Sequence, residues 1–292
     1  MTSTRASSSS ARSPRPIAVT GATGAIGGRV AASLVADGLP VRLLVRDASR
    51  APDLGADVQV AVASYADRAA VRAALEGVDT VLMVSAAEAV DRLDQHRAFV
   101  DAAAEAGVRH VVYTSFQGAA PDAVFTLARD HFATERHLVE SGMATTILRD
   151  SFYLDVLREF ADDQGVIRGP AGDGRVAAVA RADVAAVAAA VLADPAAHVG
   201  RSYELTGAEA VTLTEVAARL TAATGRSYSF HDETLDEAYA SRAAWNPEPW
   251  QADAWVSTYT SIASGEVSGV STAVRDLTGR EPLTIERLVA TD

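Results

Sequence analysis

The segment Thr20-Gly21-Ala22-Thr23-Gly24-Ala25-Ile26-Gly27 constrains this chain more than any other feature. It follows directly on the short apolar run 17–20 and opens an Ala-rich stretch whose apolar residues recur at helical spacing. A glycine turn between strand and helix is the context in which a chain cradles the phosphates of a dinucleotide. Gly21 allows the tight turn, Gly24 lets the backbone approach a pyrophosphate, and Gly27 lets the helix pack closely on the strand. Ala22, Thr23, Ala25 and Ile26 complete the loop, and the helix start offers unpaired N–H groups and a positive dipole end to the anion.

From residue 17 to 150 the same alternation continues. Apolar runs at 17–20, 41–45, 58–62, 80–84, 110–115 and 145–148 alternate with helical stretches at 29–37, 66–75, 92–106 and 125–141. The segment after Val45 is the exception, because Pro52 and Gly55 make it a loop or a short helix. Continuous rather than alternating apolar strands belong to a sheet covered on both faces. Repeated strand–helix–strand units then predict an α/β fold with a doubly wound parallel sheet of the Rossmann type. Gly77, Gly107 and Gly142 each end a helix before the next strand.

Beyond Asp150 the rhythm breaks, with Gly165, Gly169, Gly172 and Gly174 marking turns around Pro170. Helices are expected at 183–192 and 213–223, a strand at 203–206, and Asp183 is expected to cap its helix. All three tryptophans, Trp245, Trp250 and Trp255, fall in the final third. The division expected is therefore a tail at 1–16, a nucleotide-binding Rossmann domain at 17–150, and a smaller C-terminal α+β region at 151–292. That last region is interleaved with the Rossmann core and caps a substrate pocket.

The end of the second strand selects between nicotinamide cofactors. Val45-Arg46-Asp47 lies about twenty residues past the glycines, where an acid would read the ribose of NAD and an arginine the 2'-phosphate of NADP. Arg46 has the fork geometry for a phosphate, whereas Asp47 caps the segment that follows, so NADP(H) is the expected cofactor. Glycines spaced three apart point toward the short-chain reductase branch of dinucleotide folds.

Composition removes other classes. The 292 residues contain no cysteine, which excludes disulfides, zinc-thiolate and iron–sulfur sites, and a thiol nucleophile. The net charge is -12, and since Arg5, Arg12 and Arg15 lie in an acid-free tail, residues 17–292 carry all of the acidity. Such a body repels a phosphate backbone, so no nucleic-acid partner is expected. No apolar run approaches the ~20 residues of a membrane span. A soluble, cytoplasmic protein is expected, monomer or homodimer, with the Ser/Arg-rich tail a disordered extension rather than a transit peptide.

The stretches VTGATGAIG at 19–27, VRLLVRD at 41–47, AAAEAGVRHVVYTS at 102–115, HFATERHLVESGMATTILRD at 131–150 and YELTG at 203–207 resemble the NmrA-like family of atypical short-chain dehydrogenases/reductases. Within it the likeness is to NADPH quinone oxidoreductases of the second type and triphenylmethane dye reductases. The resemblance implies nicotinamide-side contacts from later strand ends: Val84, Ser85 and Ala86; Thr114, Ser115 and Phe116; and Arg149, Asp150, Ser151, Phe152 and Tyr153. Ordinary short-chain dehydrogenases carry a Tyr-x-x-x-Lys pair on the helix after the fifth strand. Alignment on Glu135 puts Leu127 at the tyrosine position and His131 at the lysine position, so the usual phenolic acid is absent.

His131, Ser115 and Tyr153 are then the candidate catalytic residues. His131 either orients the nicotinamide ribose and lends a proton or simply pairs with Glu135 one turn on. That pair lacks a third ligand, so no metal is expected. Tyr113 reads as core, and His96, His110, His137, His198 and His231 as surface or core. The function implied is NADPH hydride transfer to a quinone-like or other conjugated small-molecule acceptor. The alternative is a non-catalytic NADP(H)-sensing regulator of the NmrA type.

Overall fold

The computed structural model describes residues 15–290. The expected tail therefore lies almost wholly outside the described residues, apart from Arg15, whose guanidinium meets Asp79 at 2.6 Å, and Pro16. Six strands alternate with helices in the first half. These are β1 (Ile17–Thr20), β2 (Val41–Val45), β3 (Gln59–Val62), β4 (Thr80–Met83), β5 (His110–Phe116) and β6 (Ala144–Asp150). Between them run α1 (Ala25–Ala36), α2 (Arg68–Ala74), α3 (Arg92–Glu105) and α4 (Thr126–Glu140). The second half contributes α5 (Leu154–Leu157), β7 (Val166–Gly169), β8 (Arg175–Val176), α6 (Arg181–Ala193), β9 (Ser202–Leu205), β10 (Val211–Thr212) and α7 (Leu213–Thr224). It closes with β11 (Ser229–Asp232), α8 (Leu235–Arg242), α9 (Pro249–Ser264), α10 (Ala273–Thr278) and α11 (Ile285–Val289).

Seven strands form one parallel sheet in the order β3-β2-β1-β4-β5-β6-β9. Successive side chains point to opposite faces. Val19, Leu43 and Val45 meet α1 and α6, whereas Ala18 and Leu44 meet α2 and α3. Both faces of the inner strands are thus covered, which is why those strands read as unbroken apolar runs, whereas the edge strand β3 leaves Val60 46% and Val62 56% exposed. The order reverses between β1 and β4, and the crevice at their carboxyl ends is where open sheets of this kind bind ligands.

Part of the second half joins the main sheet and its core. β9 extends the sheet beyond β6, and α6 packs against α1 within the core. Second-half residues Leu154, Ile167, Leu213, Tyr259 and Ile285 build a separate core together with Phe116 and Phe125 of the first half. The short strands β7, β8, β10 and β11 escaped the sequence reading because they pair in two-stranded ribbons with little apolar pattern. Asp47 caps as expected, accepting the Ser49 N–H at 2.9 Å in a single turn at Ala48–Arg50.

Asp183 does not cap α6; the N-cap is Ala180. The Asp183 carboxylate is fully buried in the first turn, accepting from Arg280 Nη1 at 2.6 Å and the Leu283 N–H at 2.7 Å. Partners a hundred residues away in sequence outcompete the local cap. No helix among the described residues is long and apolar enough to cross a membrane.

Candidate active site

The glycine loop is shaped by contacts that exclude side chains. Gly21 has φ +61°, and a Cβ there would stand 3.0 Å from the Val84 side chain, which joins the loop to the end of β4. A Cβ on Gly27 would come within 2.4 Å of the Gly21 carbonyl oxygen, so only glycine lets α1 sit this close to β1. Gly24 is different. Its nearest protein atom is the Gly21 oxygen at 3.3 Å, leaving its outer side open, and as N-cap it has no side chain to cap the helix. The first bond into the helix comes from the Gly28 N–H to the Gly24 carbonyl, so the amides of Ala25, Ile26 and Gly27 precede it unpaired within the helix. An open cradle of unpaired amides at a positive helix end fits a pyrophosphate. Ala22 and Ile26 are buried beneath the loop and hold it from below.

Two cavities run along the carboxyl edge. The first, about 280 Å³, is lined by Gly21, Thr23, Arg46, the residues 63–65 after β3, and Val84, Ser85 and Ala86. Arg46 is exposed, with no hydrogen bond or ion pair to another described residue, and so is free to meet an anion. Tyr65 was not anticipated from sequence. Its hydroxyl donates to the Val84 carbonyl at 2.6 Å and abuts the Thr20 hydroxyl, which in turn accepts the Val84 N–H at 2.9 Å. This knot locks the ends of β1 and β4 together, and burial pushes the phenol's pKa up.

The second cavity, about 380 Å³, shares Ser85 and Glu88 with the first. Ser115, Phe116, His131, Ser151, Phe152 and Tyr153 line it from the strand ends and α4. Phe125 and Phe160 come from the flanking segments, and Trp255 and Tyr259 from α9. Phe116, Phe125 and Phe152 form an aromatic cluster with centroids 4.8–5.2 Å apart. Leu127 also lines this wall, where the resemblance would put the catalytic tyrosine. Trp255 lines this cavity, whereas Trp245 is 70% exposed on the surface.

His131 does not pair with Glu135. Its Nε2 faces Arg92 Nη2 at 2.9 Å and its Nδ1 faces the Tyr113 hydroxyl at 2.9 Å. Arginine only donates, so Nε2 accepts and the ring proton sits on Nδ1, donated to Tyr113. Burial, the Arg92 charge and the neighbouring His96 together drive the His131 pKa well below its ordinary value. The same logic orders His96. The Ala86 N–H donates to its Nε2 at 2.9 Å, leaving Nδ1–H for Thr134 Oγ1, and burial pushes its pKa down to about 3. Tyr113 is core, as expected, but its hydroxyl belongs to this network.

The other expected positions divide. Thr114 lies behind the wall and accepts the Ser85 N–H at 2.9 Å. Ser115 donates its hydroxyl to Glu135, which also receives Arg149 Nε at 2.9 Å and Nη2 at 2.7 Å. Arg149 is thereby turned away from the cavity toward Glu135 and Glu204. Asp150 is 1% exposed and burial holds its pKa well above the carboxylate range; its Oδ2 accepts the Tyr153 hydroxyl at 2.9 Å. Asp150 Oδ1 and the cavity-lining Ser151 Oγ are buried with no hydrogen-bond partner among the described residues. Arg92 was not legible beforehand, because nothing local separates a buried helix-end arginine from an exposed one, and nothing local marked Phe125.

A model of the NmrA-like family matches residues 14–241. Quinone oxidoreductase 2 of Escherichia coli K12 is 40% identical over 228 residues, covering 76% of this chain and 78% of that protein. The crystal structure of an Escherichia coli NADPH-dependent quinone oxidoreductase complexed with NADPH matches with TM-score 0.85 at 34% identity, covering 94% of this chain and 99% of that one. The triphenylmethane reductase of Citrobacter sp. complexed with NADP(H) matches with TM-score 0.83 at 28% identity, over 94% and 99% of the two chains.

Proposed function

The chain belongs to the NmrA-like family, and from that premise we propose that it is an NADPH-dependent oxidoreductase acting on a flat, conjugated acceptor of the quinone or dye kind. The observation that carries this reading is the junction at Ser85 and Glu88, where a cavity ending at an unpaired arginine meets one walled by aromatic rings. The glycine-loop amides would hold the pyrophosphate of NADPH and Arg46 its 2'-phosphate, and the bound cofactor would supply a hydride to an acceptor in the second cavity. Ser151 Oγ, buried and without a hydrogen-bond partner among the described residues, offers a hydrogen bond in the second cavity.

The acceptor stacks among Phe116, Phe125, Phe152 and Trp255, whose rings suit an extended π-system. Leu127 stands at the usual tyrosine position, the Tyr153 hydroxyl is committed to Asp150 Oδ2, and His131 points its N–H at Tyr113, so the proton that completes reduction comes from solvent. Orientation and exclusion of water provide most of the acceleration. His131 acts as a positioning residue: its contact with Arg92 fixes that side chain beside the acceptor.

The test is direct. Purified protein mixed with NADPH and a panel of quinones should consume NADPH, followed by its absorbance, only when an acceptor is present. Tight NADPH binding with no turnover of any acceptor would replace this reading with that of an NADP(H)-sensing regulator.

A further inference from the structure

Arg92 is the one cationic side chain among the residues lining the acceptor cavity, and it is only 4% exposed. Burying a guanidinium is expensive unless its donors are matched. Its Nε donates to the Ala86 carbonyl at 2.9 Å, its Nη2 to His131 at 2.9 Å, and its Nη1 reaches Asp130 at 3.3 Å. Two of these partners are neutral, and Asp130 is long and partly in solvent, with 28% of its side chain exposed. The hydrogen bonds are thus largely met while the charge is not fully cancelled. The other formal charge on this wall, Glu88, is exposed at the rim and receives the Trp255 indole N–H at 3.3 Å. The interior of the cavity is therefore electropositive.

Resting on the oxidoreductase reading above, we propose that Arg92 stabilises the negative charge an acceptor takes up with the hydride, and so favours neutral acceptors that become anions over cationic ones. A neutral quinone that receives a hydride gains two electrons and one hydrogen, leaving as the hydroquinone monoanion while the nicotinamide is oxidised; a solvent proton then completes the hydroquinone. A fixed cation in a low-dielectric wall lowers the energy of that anion more than of the neutral quinone, which is the condition for accelerating the step. A cationic triarylmethyl dye behaves oppositely. Hydride addition neutralises it, so Arg92 opposes its binding and gives its reduction no help.

The experiment compares Arg92→Met, Arg92→Lys and Asp130→Asn with the unaltered protein. Arg92→Met should lower kcat for a neutral quinone by about 10²-fold, the range seen when one donor to a developing anion is removed. Its kcat/KM for a cationic triarylmethyl dye should be unchanged or higher, and Arg92→Lys should restore part of the quinone rate. Binding is read separately on NADP+-loaded protein at mildly alkaline pH. 4-Nitrophenolate should weaken about tenfold in Arg92→Met and tighten in Asp130→Asn, where the cation loses its counter-charge, while uncharged 4-nitroanisole binds all forms alike. Equal losses for quinone and dye, or phenolate and anisole affinities moving together, would reduce Arg92 to a structural role. If the unaltered protein turns over no quinone but still shows the phenolate pattern, the oxidoreductase reading fails and the charge assignment stands.

Discussion

Arg92 donates from Nη2 to Nε2 of His131 at 2.9 Å, and this contact decides which nitrogen of the imidazole carries its proton. With Nε2 occupied as an acceptor, the N–H points at Tyr113 inside the protein rather than into the cavity. His131→Ala should therefore lower quinone turnover only modestly, well short of the roughly 10²–10⁴-fold that a general acid contributes. Steady-state rates alongside NADPH affinity would check this. A loss of four decades with fold and cofactor binding intact would make His131 the acid.

Burial depresses the pKa of three histidines, His96, His110 and His131, of which the first and last illustrate the pH signature. His96 and His131 stay neutral when folded but protonate below about pH 6.5 when unfolded, so stability is present above that pH and falls as it drops toward about 3 for His96. Asp150 works in the opposite sense. Its raised pKa keeps a proton on the folded form that the unfolded chain releases, so it loses stability as pH rises above the ordinary carboxylate value. Glu204, also raised by burial, acts in the same sense as Asp150, while each histidine proton taken up only by the unfolded chain costs about 1.4 kcal/mol per pH unit of acidification below about pH 6.5. Urea unfolding between about pH 6.5 and pH 5 should therefore lose stability more slowly in His96→Gln than in the unaltered protein. An unaltered slope in that variant would remove His96 from the account.

Gly24 has open space where Gly27 has backbone, so the two glycines respond differently to substitution. Gly24→Val should fold but lose NADPH binding, because its side chain fills the approach of the pyrophosphate. Unchanged affinity by calorimetry in a folded variant would contradict the assignment.

Arg46 stands exposed at the end of β2 on the edge of the first cavity. Arg46→Ala should weaken NADPH by about 1.5–3 kcal/mol, the range for a hydrogen bond to a charged group, and leave NADH nearly unaffected. Equal losses for both cofactors would mean that Arg46 does not read the phosphate.

Asp183 ties α6 to the segment before α11 through Arg280 and the Leu283 amide. Asp183→Ala strands that amide and should cost about 1–3 kcal/mol of stability, with the C-terminal residues becoming the first to be cut in limited proteolysis. A protease pattern identical to that of the unaltered protein would show that the tie does not hold the segment.

The sequence by itself determined the parallel sheet and the position of the glycine loop between β1 and α1. Both follow from information a few residues long: continuous apolar runs, glycines three apart, and an arginine at the end of the second strand. The strand-end positions were implied by the family resemblance rather than by pattern, and of these 84–86, 115–116 and 151–153 line the two cavities while Thr114, Arg149 and Asp150 do not. Tertiary structure alone decided which side chains face inward from helices and loops. Arg92 and Asp183 sit near helix starts where local rules predict solvent or a cap, yet both are buried against partners from distant segments. Tyr65, Phe125 and Trp255 reach the site only because three separate connections converge on one edge. A contact between residues far apart in the chain leaves no periodicity or spacing behind, and the charge and tautomers of this site are set by contacts of that kind.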